Sequence, residues 1–172
     1  SGVRATANHN FVMNSGITMC SLAFADVLPE ISMYCLENSL KATEIALKNF
    51  APDGSWCEGM GYALMSADYS AYQFATLCKI FDTTYGLDKS EGMDKMADTV
   101  IYMQCPTGSF AFYDGASAVN NWSAGVIWFA EHYGRGDISS YLHEKCRKSF
   151  SGISLVAQTL YFDYESIGGE FE

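Results

Sequence analysis

The sequence has no apolar run of about 18 residues, so no segment reads as a membrane-spanning helix. No basic stretch followed by an apolar one stands near the start, and no signal peptide is expected. Positive charge is scarce: ten Lys and Arg stand against twenty Asp and Glu, for a formal net charge of −10. That balance excludes nucleic acid as a natural partner, because phosphates require a basic footprint. It also gives little long-range steering toward any polyanion. No C-x-x-C pair occurs among Cys20, Cys35, Cys57, Cys78, Cys105 and Cys146. Most of these fall inside helical patterns where Ala or Leu would serve, so free thiols used as small buried hydrophobes are expected rather than a disulfide framework or zinc site. Unpaired cysteines favour the cytoplasm, with a periplasmic or secreted setting open to the whole protein. H-E-x-x-H, P-loop and G-x-S-x-G motifs are all missing, which removes support for metalloprotease, NTPase and α/β-hydrolase chemistry. No metal site or cofactor is expected.

What is present is a folded composition: 172 residues, 49% hydrophobic and 17% charged, enough for one domain with a sizeable core. Helical periodicity dominates. An apolar helix is predicted over 14–26 behind a polar cap. A second is predicted over 30–50, with Pro29 tolerated in its first turn and Glu30 suited to its positive end. Met33, Leu36, Leu40, Thr43, Leu47 and Phe50 form one predicted buried stripe. Ile31, Tyr34, Cys35, Ala42, Ile45 and Ala46 form another on the adjoining face, so this helix is expected to pack on two sides.

Ala51-Pro52-Asp53-Gly54 is turn chemistry, and the glycines of 55–62 predict an irregular loop. Further helices are predicted over 66–85 with Gly86 as the stop, 90–104, 118–133, 137–149 and 152–162. One short strand is predicted over 109–115. The fold class is therefore all-α, with at most one short strand or hairpin. Antiparallel helix hairpins suit a layered array, an incomplete toroid or a bundle.

Two loops concentrate chemistry-bearing side chains. A-T-A-N-H-N-F-V-M-N-S-G, residues 5–16, places amides and an imidazole at the mouth of an apolar helix. The plain reading is a solvated arm ending in an Asn cap. D-G-S-W-C-E-G-M-G-Y, residues 53–62, is on the plain reading an inter-helix loop with Trp56 plugging the core. His132 and His143 read as boundary residues on helices, Asn120-Asn121-Trp122-Ser123 as a helix start and Asp114-Gly115 as a turn.

Together these segments resemble the heparinase II/III and oligoalginate lyase superfamily. N-H-N-F-V-M-N-S-G is similar to that family's N-(W/H)-N-x-V-x-N-G-G segment, and D-G-S-W-C-E-G-M-G-Y to its D-G-x-(W/F)-x-E-G-x-G-Y loop. P-T-G-S-F-A-F-Y-D-G resembles a third segment, with Phe112 where Asn is common. T-L-Y-F-D-Y-E, residues 159–165, resembles the stretch that closes the family's helical domain. The resemblance implies that residues 1–165 are part of an (α/α) toroid and 166–172 a linker or truncation point. The missing toroid half and a β-sandwich domain of the same protein would be its natural partners. A half-toroid would leave an apolar face exposed, prone to self-association.

The resemblance also implies a lyase that cleaves acidic oligo- or polysaccharides by β-elimination, the fragment alone being inactive. Such a site must neutralise the uronate carboxylate so that the C5 proton can leave. By the family's pattern Asn8 and His9 neutralise the carboxylate, with His9 also a candidate base. Tyr62, 53 positions beyond His9, transfers the proton. Trp56, Glu58 and Asn10 are implied to shape the substrate subsite, with a structural role favoured for Trp56. The alternative is a non-catalytic helical module that binds carbohydrate or serves as a scaffold. A toroid glycosidase stands third: it needs a carboxylate pair, and Glu58 and Asp114, the only loop carboxylates to nominate, have nothing to pair them.

Overall fold

The computed structural model of the protein describes residues 6–103 and 123–149. Among them the chain is all-α, with no strand: α1 (His9–Ala23), α2 (Pro29–Leu47), α3 (Met60–Phe81), α4 (Met96–Tyr102), α5 (Ala124–His132) and α6 (Gly136–Ser149). Single 3-10 turns lie at Lys48–Phe50, Leu87–Lys89 and Met93–Lys95. The predicted strand over 109–115 and the helix over 152–162 lie outside the described residues. So do Phe112, Asp114, Asn120, Asn121, Trp122 and the segment 159–165.

Helix α1 packs between α2 and α3, α3 in turn packs on α5, and α5 packs on α4 and α6. Pro29 occupies the first turn of α2 as expected, with Glu30 beside it. Three boundaries differ from the sequence expectation. Helix α1 begins five residues early, because Asn10 and Asn14 are helical residues with partners of their own. The Asn14 amide donates to Asn10 O at 2.9 Å, and Asn10 Nδ2 donates to Ala42 O on α2 at 2.9 Å. Helix α3 begins at Met60 and ends at Phe81, capped by Asp82, whose left-handed backbone (φ 55°) stops it four residues before Gly86. Over 90–104, a 3-10 turn precedes a short α4 in place of one helix.

The centre of the α1–α2–α3 layer is polar. Gln73 Nε2 donates to Thr18 Oγ1 at 2.9 Å, and Thr18 Oγ1 lies 2.9 Å from Ser39 Oγ. Ser39 Oγ donates to Leu36 O at 2.8 Å. Each donor fixes the next, so the Thr18 hydrogen goes to Ser39, and the Gln73 amide presents Oε1 to the Thr43 hydroxyl at 3.0 Å, whose one hydrogen is shared with Ser39 O at 2.9 Å. All four side chains are buried. Apolar packing surrounds this seam. Phe11, Phe50 and Trp56 form a ring cluster with centroids 4.8–6.1 Å apart. Phe74 of α3 meets Phe129 of α5 edge-on at 5.6 Å. At the α3–α5 crossing Gly125 lies so close to α3 that a Cβ would stand 2.6 Å from Ala67 O, which requires glycine there.

Helix α2 departs from its two-stripe expectation. Leu36, Thr43, Leu47, Phe50, Ala42 and Ala46 are buried, but Met33 is 59%, Ile31 61%, Tyr34 69% and Ile45 37% exposed. Among the described residues only one side of α2 is buried, and small and hydroxyl side chains (Ser32, Ser39, Ala42, Thr43, Ala46) share it with Leu36 and Leu47. The cysteines also differ from the expected buried use: Cys20 and Cys57 are exposed, Cys35 and Cys78 half-buried, and all four are free thiols.

The polar interior separates two kinds of buried hydroxyl. Ser15 and Ser66 bury Oγ atoms with no hydrogen-bond partner, whereas Thr18 relays a hydrogen bond between helices. Truncating an unpartnered hydroxyl removes a desolvation cost, and truncating a relay strands its partners. In urea melts Ser66→Ala is therefore expected to be neutral or stabilising by up to about 1 kcal/mol, and Thr18→Ala to cost about 1–3 kcal/mol. Equal losses in both would contradict this assignment.

Candidate functional site

The two loops that stand out in the sequence meet in the structure. The turn after α2 is held from outside. Gly92, at φ +87°, presses against Phe50 O so closely that a Cβ would lie 2.1 Å from it. Lys95 Nζ donates to Pro52 O at 3.0 Å, and the Thr99 hydroxyl donates to Asp53 O. The turn closes on itself through Gly54 N–H to Phe50 O at 2.7 Å. Ser55 hydrogen bonds to the exposed Asp53 carboxylate hold its pKa below the usual value. Glu58 is thereby presented to the start of α1.

One carboxylate oxygen gathers the donors. Glu58 Oε2 accepts from Asn8 N–H at 2.9 Å, Asn8 Nδ2 at 3.0 Å and Trp56 Nε1 at 3.0 Å. Asn8 stands at the N-cap of α1 but makes no side-chain cap bond of its own; Glu58 supplies the negative charge at that helix end instead. Asn49 Nδ2, donating to Thr6 O, ties down the approach to α1.

The sequence-selected residues divide clearly. Asn8 is 3% exposed, Asn10 fully buried and Trp56 2% exposed. Trp56 sits in the Phe11–Phe50 cluster, and the Asn10 amide is spent on Ala42 O. In this structure the side chains of both Trp56 and Asn10 lie in the interior. His9 is exposed in the first turn of α1, and Tyr62 is half-buried in the first turn of α3, four residues beyond Glu58. The Asn8–Glu58 bond brings these two helix starts together. The Asn8 amide donates one hydrogen to Glu58 and retains a second.

A different polar cluster has no signature in the sequence. Asp88 Oδ2 lies 3.0 Å from His132 Nε2, Thr84 donates to Asp88 Oδ1, and Tyr133 OH donates to Asp88 O at 2.6 Å. The His132 ring stacks on Trp128 with centroids 4.7 Å apart. Burial alone would raise the Asp88 pKa, but the hydrogen bonds from Thr84 and His132 outweigh it and the net shift is downward. Burial, then the charges of Asp88 and Asp94, push the Tyr133 phenol upward. On the other side of α5, Glu131 Oε1 accepts from Ser139 Oγ at 2.8 Å and lies 3.2 Å from His143 Nε2. Asp68 reaches from α3 to the start of α5, where Ser123 Oγ and Gly125 N–H donate to Oδ1 at 2.7 and 2.8 Å. Burial raises the Asp68 pKa against both bonds. Each cluster joins one element to another, as structural ties do. Among the described residues no group of three or more His, Cys, Asp or Glu is arranged to hold a metal ion. None of their helices is long and apolar enough to cross a membrane.

Comparison with protein-family models finds no match, and no curated protein matches the chain.

Glu58→Ala strands three donors, two of them on side chains almost wholly buried, and is expected to cost about 3 kcal/mol. Glu58→Gln keeps an acceptor without the charge and should cost about 1 kcal/mol. Urea unfolding followed by Trp fluorescence measures both, and equal small losses would refute the clasp. Asp88 sets an acid limit. Its folded pKa lies below the unfolded value of about 3.9, so its contribution is complete above that value and is lost as pH falls through the folded pKa. Thermal melts between pH 6 and pH 2 (values chosen to bracket that pKa) should show a shallower acid loss in Asp88→Asn than in wild type. Parallel curves would exclude Asp88 as a contributor.

Proposed function

We propose that the chain is the helical, site-bearing part of a lyase that cleaves uronic-acid oligo- or polysaccharides by β-elimination. The observation that carries this reading is the Asn8–Glu58–Trp56 clasp. It joins two loops 50 residues apart and sets His9 and Tyr62 on adjoining helix starts. The four motif segments that resemble the heparinase II/III and oligoalginate lyase superfamily supply the rest of the support.

In this reaction a base takes the C5 proton of the uronate, the C4–O bond breaks, and an acid protonates the departing oxygen, leaving a C4=C5 double bond. His9 is the accessible group for meeting the carboxylate or taking the proton, and Tyr62 the group for delivering one to the leaving oxygen. Asn8 contributes through its second amide hydrogen, while Glu58 fixes the orientation of that amide. Trp56 and Asn10 support the site from within. The remaining walls of the cleft belong to other parts of the whole protein, and the substrate is an acidic sugar chain.

A second reading has its own observation. The Asn8 amide already binds a carboxylate, that of Glu58, and is nearly sealed from solvent. A helical module that binds sugar without cleaving it, or that serves as a scaffold, needs no more than this clasp.

The full-length gene product is assayed on a panel of uronic-acid oligosaccharides by the ultraviolet absorbance of the unsaturated uronate. Wild type is expected to generate it, with Tyr62→Phe and His9→Ala slower by about 10²–10⁴-fold, the usual range for acid–base groups, at unchanged melting temperature. Activity surviving in both variants would remove these residues from the chemistry. Silence of folded wild-type protein across the panel would overturn the lyase reading in favour of the module.

A further inference from the structure

The elements that meet at the clasp carry no Lys or Arg. Residues 5–40 and 49–78 contain neither, and they supply α1, the loop after α2 and all of α3 but its last turn. They do contain Asp53, exposed in that loop, and Glu58 at the centre of the clasp. What this wall offers an anion is the imidazole of His9, the second amide hydrogen of Asn8 and the phenol of Tyr62.

Among the described residues, the cations that border these elements are committed or distant. Lys41 and Lys48 stand 3.7 and 3.8 Å from Glu37 and Glu44. Lys95 Nζ donates to Pro52 O at 3.0 Å, and its charge acts on the Asp53 carboxylate. Lys79 lies in the last turn of α3, about 25 Å from Tyr62 along the helix.

Donors of this kind separate two classes of anion. A uronate carboxylate is held by hydrogen bonds from amide and imidazole groups, and a proton can neutralise it outright. A sulfate ester stays ionised at any pH near neutrality, so seating it against a protein wall takes ammonium or guanidinium groups. Against this wall it would meet the Asp53 and Glu58 carboxylates instead, and like charges brought close oppose binding.

We propose that the sugars seated on this wall carry no sulfate, the uronate carboxylate being their one anion, and that Cys57 is the position where a cation would admit sulfate. The inference rests on the lyase reading and narrows its substrate class. Cys57 is exposed, between Trp56, whose indole is buried, and Glu58, whose Oε2 accepts from Asn8. It is thus the solvent-facing side chain next to Glu58, and a lysine there would place charge on the wall without disturbing the interior.

The test uses the full-length gene product and a matched pair of uronic-acid oligosaccharides. One is unsulfated, the other O-sulfated on the sugars beside the cleaved bond, and both are followed by the absorbance of the unsaturated uronate. Wild type should cleave the sulfated partner at least about tenfold less efficiently by kcat/KM. Cys57→Lys should narrow that ratio about two- to fivefold, the range of an exposed ion pair, while Cys57→Gln leaves it unchanged. Asp26→Asn, an equal change of charge beyond the far end of α1, should also leave it unchanged. Circular dichroism confirms that each variant is folded. Cleavage of the sulfated partner as fast as the unsulfated one, or faster, overturns this inference and leaves the lyase reading standing. A preference for the unsulfated partner that Cys57→Lys does not move overturns it too, since the selection would then lie on another wall. Silence on both substrates from folded wild type overturns the lyase reading, and this inference with it.

Discussion

The amide of Gln73 is the point on which the helical layer depends. It sits fully buried on α3, reaches Thr18 on α1 with its nitrogen and Thr43 on α2 with its oxygen, and so ties three helices at one level. Apolar packing tolerates small slides, because one methyl contact can replace another. A buried hydrogen-bond chain does not, because a helix displaced along its axis strands a donor or acceptor at about 1–3 kcal/mol each. The seam therefore sets register, while the Phe11–Phe50–Trp56 and Phe74–Phe129 clusters supply burial.

Spending the inner faces of α1 and α2 on polar groups has an outward consequence. Asn10, Asn14, Ser15, Thr18 and Ser21 occupy the buried side of α1, and Ser32, Ser39 and Thr43 that of α2. Val12, Met13, Ile17, Met19 and Leu22 are left half-buried, and Ile31, Met33 and Tyr34 exposed. The exposed apolar side chains and the polar seam beneath them are two results of one distribution of side chains.

Helix content and order were legible from period and turn chemistry, and Pro29 marked the start of α2 correctly. Interior polarity was not legible. Asn10 and Asn14 look like caps because capping is a local rule, yet their partners are a carbonyl on another helix and a backbone oxygen one turn back. Met33 and Ile45 match an apolar period equally well whether or not a neighbour covers them, so exposure on α2 could not be read from spacing. Asp82 ends α3 in a left-handed conformation that Gly86 seemed better suited to adopt. The Asp88–His132 contact spans 44 residues with no motif to announce it. In the candidate site the motif spacing singled out two loops that meet in the structure, but could not reveal that Asn8 and Glu58 bond to each other.

That bond changes the chemical demand on the site. An Asn near a helix start reads as a donor kept for a ligand carboxylate, and here the Glu58 carboxylate takes one of its hydrogens. The helix end and the indole N–H of Trp56 share the same oxygen, so the Glu58 charge is partly compensated from within. On the lyase reading we propose, a uronate brought alongside would still meet the Glu58 carboxylate, and like charges brought close oppose binding. On that reading neutralisation would fall mainly to an exposed group, and beside Asn8 that group is His9. Asn8 there holds α1 in place and offers only its second amide hydrogen, and His9 would be the residue that faces the sugar. In the proposed reading the roles of Asn8 and His9 divide through one oxygen atom of a glutamate 50 positions beyond Asn8.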